Sequence, residues 1–104
     1  MFNRSKEISM TNSTLKENIA DYAKYFKILG NPTRLCILLN ICKNKKVQVS
    51  KLTKCSGQAQ SYISQELNKL KKWQIVNFEK QGNECYYFLT DQNLCNLLKL
   101  LFNT

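Results

Sequence analysis

The chain has 104 residues, 43% of them hydrophobic, with sixteen Lys and Arg against seven Asp and Glu and a formal net charge of +9. That is one domain with a small core, too short in its apolar runs for the roughly 20 residues of a membrane span and too poor in Pro and Gly for fibrous or linker classes. Histidine is absent, which removes the commonest general base and His-containing zinc sites.

Met1–Ser13 reads as a loose polar arm without the apolar centre of an export signal, so the expected compartment is the cytoplasm. From Thr14 to Leu29 the apolar residues Leu15, Ile19, Tyr22, Ala23, Phe26 and Leu29 recur at helical spacing. Thr14 with Glu17 forms a capping-box pattern, and Gly30 is expected to end the helix in left-handed geometry. Asn31-Pro32 opens a second helix as N-cap and first helical residue. Lys43 to Lys46 then form an exposed basic turn.

Val47 and Val49 fit a very short strand, and Ser50 is placed to cap a brief third helix ending near Cys55. Ser56-Gly57 is a turn, and a fourth helix is expected from about Ala59 to Trp73, with Ile63, Leu67 and Leu70 as a narrow apolar stripe. Ile75 to Lys80 and Glu84 to Leu89 alternate as strands around Gln81-Gly82-Asn83, a hairpin. Thr90-Asp91 caps a last helix whose apolar face is Leu94, Leu97, Leu98, Leu101 and Phe102. The order is helix, helix, helix, helix, hairpin, helix: mainly α with a β-hairpin, a winged helix-turn-helix over 14–104.

In such a motif the second helix enters the major groove of DNA. Gln60, Ser61, Tyr62, Ser64, Gln65 and Asn68 supply donors and acceptors of groove-reading type. Lys51, Lys69, Lys71 and Lys72 suit phosphates, and Lys80, Gln81 and Asn83 sit at the tip of the wing. Between Arg34 and Lys80 there are ten basic residues against Glu66 and Glu79, nearly the whole excess of charge. Double-stranded DNA is therefore the expected partner. A basic module that docks an acidic protein or membrane surface without sequence preference is the competing reading. No Cys has an evident base partner, so an enzyme is not expected.

Three stretches carry a family resemblance. Phe26-Lys27-Ile28-Leu29-Gly30-Asn31-Pro32-Thr33-Arg34-Leu35 resembles the opening signature of the ArsR/SmtB repressors. Gln60 to Leu67 resembles their recognition helix, and Glu84 to Leu89 their second wing strand; the likeness spans Leu15 to Phe102. The resemblance implies a homodimer on an imperfect palindrome, repressing until an inducer binds. Its first and last helices would form the interface, here through Tyr22, Phe26, Leu94, Leu97, Leu98, Leu101 and Phe102.

The family's metal sites do not carry over. The positions matching its Cys-x-Cys are Gln48 and Ser50, and of its last-helix site only Asp91 remains, so neither a resident metal nor another cofactor is expected. Five cysteines form an odd set, read as reduced thiols rather than a disulfide framework. Relatives that sense oxidants or reactive sulfur join a second-helix Cys to a last-helix Cys. Cys36 and Cys95 are the candidate pair on that pattern, although Cys36 falls one turn before the matching position, Leu39. Cys42, six residues on, lies on a different helix face. Cys55, near the DNA-reading turn, is placed to report oxidation by loss of binding, while an arsenite site would need distant cysteines to converge.

Overall fold

The structure is a computed structural model that describes residues 13–103, with side chains described over 18–103. Nearly all of the expected polar arm, and the Thr14 side chain proposed as a cap, lie outside the described residues. The first helix, α1, is Ser13–Leu29. It ends at Gly30 without the left-handed geometry expected there, because only Gly57 and Gly82 among the glycines have positive φ. The stop comes from the residues that follow: Asn31 is extended, at φ −116° and ψ 123°, to cap the next helix, and Pro32 has no amide to donate.

Helix α2, Pro32–Asn44, starts as its sequence dictates. The Asn31 side chain accepts hydrogen bonds from the Thr33 and Arg34 amides, at 2.9 and 3.1 Å, with Pro32 in the first turn. Strand β1, Val47–Gln48, runs directly into α3, Val49–Ser56. Ser50 is therefore inside α3 and not its cap; Gln48 occupies the cap position without a side-chain bond. The reason lies in the sheet, because pairing of Val47 with Tyr87 and Gln48 with Tyr86 holds the chain extended until Val49.

Helix α4 is Gln60–Lys72, followed by β2, Val76–Gln81, and β3, Glu84–Leu89, which pair antiparallel from Val76–Leu89 to Gln81–Glu84. The sheet order is β1-β3-β2, so the short strand completes a three-stranded wing. Asp91 caps α5, Gln92–Phe102, by accepting from the Leu94 amide at 3.1 Å.

The core gathers one apolar face from each helix. Ile37, Leu38 and Ile41 of α2, Leu52 of α3, Ile63, Leu67 and Leu70 of α4, and Leu94 and Leu98 of α5 are fully buried. Burying each such side chain contributes about 1.5–3 kcal/mol. Among the described residues no helix is long and apolar enough to cross a membrane.

Candidate nucleic-acid interface

Helix α4 is positioned by its buried side, Ile63, Glu66, Leu67 and Leu70. The opposite side follows from helical geometry: Ser61, Gln65, Asn68 and Lys72, spaced four, three and four apart, are all exposed. These four form the outward stripe of the helix. Gln60 is exposed on its flank, while Tyr62 and Ser64 are half-buried between stripe and core. No side chain caps α4, whose N-cap position is Ala59, so its first-turn amides face outward unpaired by a cap, a ready donor set for an anionic oxygen.

The turn that presents α4 depends on Gly57, which adopts left-handed geometry at φ 70° and closes α3 by donating its amide to the Thr53 carbonyl at 3.0 Å. Lys51 and Lys54 are exposed on α3. On the other side, the hairpin turns at Gly82, φ 65°, leaving Lys80, Gln81 and Asn83 exposed at the wing tip. Lys46 pairs with Glu79 and thereby ties the basic turn after α2 to the wing.

Two lysines read as phosphate-facing have partners inside the chain. Lys69 Nζ lies 3.4 Å from Glu66 Oε2, and Lys71 Nζ sits over the Phe78 ring at 4.3 Å. Glu66 is the residue whose role the sequence reading missed. Its carboxylate is almost wholly buried, meets Arg34 Nε at 3.4 Å, and Arg34 in turn lies over the Trp73 ring at 5.1 Å. This buried network fixes α4 against α2. The available signal was position: Glu66 falls between Ile63 and Leu70 on the apolar side of α4.

Four of the five cysteines sort into pairs that differ from the expected one, and Cys85 on β3 is free. Cys36 is joined by a disulfide to Cys55, and the Sγ atoms of buried Cys42 and Cys95 are 2.6 Å apart. Cys36 therefore does not meet Cys95, and the reading of all five as reduced thiols is corrected. The cause is the helical phase of α2, which turns Cys36 toward α3 and Cys42 toward α5. Burial, then the hydrogen bond with Cys95, pushes the Cys42 thiol well above its ordinary pKa. Among the described residues no group of three or more Cys, Asp or Glu side chains is placed to hold a metal ion.

The apolar residues expected at a dimer interface also divide. Leu94 and Leu98 are fully buried within the single chain and belong to its own core. Tyr22, Phe26, Leu101 and Phe102 are exposed at 43, 55, 54 and 42%, and Leu97 is half-buried.

Five helices, a three-stranded wing and an exposed polar helix after a glycine turn define a winged helix-turn-helix protein. No protein-family model matches the chain. It is 37% identical over 79 residues, 76% of its length, to an uncharacterized HTH-type transcriptional regulator of Methanocaldococcus jannaschii, of which the match covers 89%. It is 32% identical to the arsenical resistance operon repressor of Bacillus subtilis, over 82% of this chain and 81% of the other. The solved structure of the transcriptional regulator HlyU from Vibrio vulnificus superposes with a TM-score of 0.80 at 28% identity, covering 90% of this chain and 97% of that one. The chain belongs to the ArsR/SmtB family of helix-turn-helix transcriptional repressors.

Proposed function

We propose that this protein is a homodimeric repressor that reads a palindromic operator by placing α4 of each copy in successive major grooves. The observation that carries the reading is the outward stripe Ser61, Gln65, Asn68 and Lys72, exposed on a helix whose other side is locked into the core. Gln60 and Gln65 have the bidentate donor–acceptor pair that suits adenine. Lys51, Lys54 and Lys72 on the helices and Lys80 on the wing would take phosphates, with Gln81 and Asn83 flanking the duplex. Residues 14–104 form the DNA-binding and dimerising unit, acting by binding and not by catalysis, in the cytoplasm where its operator lies. The alternative, a basic module without sequence preference, rests on charge alone and ignores the composition of the stripe.

Anisotropy titrations against the duplex upstream of its own gene and a scrambled duplex test this. The double variant Ser61→Ala/Gln65→Ala should lose about tenfold or more in affinity for the promoter duplex, approaching its affinity for the scrambled one. An unchanged preference in that variant would move the reading surface elsewhere. Equal wild-type affinity for both duplexes favours the non-specific module.

A further inference from the structure

The chain carries two close pairs of cysteines, and they differ in access. Cys42 and Cys95 are buried between α2 and α5. Cys36, half-buried on α2, and Cys55, exposed in the last turn of α3, are joined across nineteen residues of sequence. Asn40, one turn after Cys36, points its Nδ2 at both sulfurs, 2.8 Å from Cys55 Sγ and 3.7 Å from Cys36 Sγ. That amide donor stands where a thiolate released from either sulfur would need a hydrogen bond.

The bond also sits at a consequential point. Helix α3 has eight residues and a single fully buried side chain, Leu52. Cys55 lies two residues before Gly57, where the chain turns left-handed toward α4. The tether from α2 thus restrains the last turn of a short helix at the point where it feeds the DNA-reading helix.

We propose that Cys36 and Cys55 form a thiol–disulfide exchange site for small dithiols and low-molecular-weight disulfides, whose oxidised state orders the turn into α4 and favours operator binding. A dithiol attacks as a thiolate at the exposed Cys55 Sγ. The Cys36–Cys55 bond breaks, its electron pair leaves on Cys36 Sγ, and that thiolate takes a proton from water. The second thiolate of the dithiol then attacks the dithiol sulfur of the mixed disulfide, closes a cyclic disulfide and expels Cys55 as a thiolate beside Asn40, which is protonated in turn. The protein gains two electrons and two protons, and the dithiol loses the same. In reverse, two protein thiols and a small disulfide give the protein disulfide and two small thiols.

The effect on DNA rests on the repressor reading above; the chemistry does not. Full-length protein is treated with dithiothreitol or with oxidised glutathione, and its disulfides are mapped by peptide mass. Hydrogen exchange at the Gly57 amide and affinity for the promoter duplex are measured in each state. Reduction should open Cys36–Cys55, raise exchange at Gly57, and weaken DNA binding about tenfold, the cost of re-ordering roughly one residue of backbone on docking. Cys55→Ser and Cys36→Ser should each exchange at Gly57 and bind DNA as the reduced protein does, and oxidised glutathione should form at most a mixed disulfide on the remaining thiol without restoring either property. Failure of oxidised glutathione to close the bond overturns the exchange site. A bond that opens with unchanged Gly57 exchange and unchanged affinity overturns its role in the turn. If the bond and the Gly57 exchange respond while neither state prefers the promoter duplex, the exchange site is supported and the operator reading fails.

Discussion

At the scale of single residues, the buried carboxylate of Glu66 makes the sharpest demand on its neighbours. A charge taken out of water destabilises the fold unless partners return the lost hydration. Arg34 is half-buried and faces Oε1, while Lys69 approaches Oε2 from an exposed position, its side chain 54% accessible. The two cations are therefore unequal. Removing Arg34 strands the buried charge, whereas water replaces much of what Lys69 provides. Arg34→Ala should cost about 3 kcal/mol in urea unfolding, and Lys69→Ala under about 1 kcal/mol. Equal costs would show that the partly buried Arg34 pair holds Glu66 no more strongly than the exposed Lys69 pair does. None of this was legible from charge patterning, which counted Arg34 only in the basic excess and turned Lys69 toward phosphate. A lysine three residues from a buried glutamate has a nearer anion than phosphate.

At the scale of elements, what could be read from the sequence was whatever local chemistry dictates. The Asn31-Pro32 start of α2, the Gly57 turn, the Glu84–Leu89 strand and the Asp91 cap all appear where spacing and capping rules put them. The start of α3 did not, because a strand partner almost forty residues away decides it, and the thiol pairing did not, because it depends on which neighbour each face of α2 meets. A second long-range link joins α1 to the start of α5. The Tyr25 hydroxyl donates to the Asp91 carboxylate at 2.9 Å. Burial first, and then that carboxylate, push the phenol up from 10.0 to about 12. The fold therefore holds a proton that the unfolded chain releases near its ordinary value. The stabilisation is complete below pH 10 and is lost as pH rises through about 12. Urea midpoints of the wild type should fall over that window, and those of Tyr25→Phe should fall less steeply. Parallel slopes would place Tyr25 outside the alkaline transition. The variant should also be less stable near neutrality, having lost its bond to Asp91.

At the scale of the whole molecule, the apolar spacing of the last helix was legible, but it could not separate core from interface along α5. Leu94 and Leu98 repeat with the same helical spacing as Leu101, and only the packing shows that the first two are fully buried while Leu101 is 54% exposed. Exposed apolar side chains remain on both terminal helices, Tyr22 and Phe26 on α1 and Leu100, Leu101 and Phe102 on α5. Both helices are tied to one body by the Tyr25–Asp91 bond, so a second copy docked on them would set the spacing of two α4 helices as a rigid unit. In such a dimer the pairing would govern affinity, because the second half-site would be bound intramolecularly once the first is engaged. Phe26→Glu/Leu101→Glu puts like charges into that face without touching a fully buried residue. It should sediment as a monomer of about 12 kDa and bind a palindromic duplex on the order of 100-fold more weakly than wild type. Its affinity for a single half-site should be nearly unchanged. A variant that remains dimeric would place the interface off these two helices, and a monomer that keeps full palindrome affinity would show that each α4 binds independently.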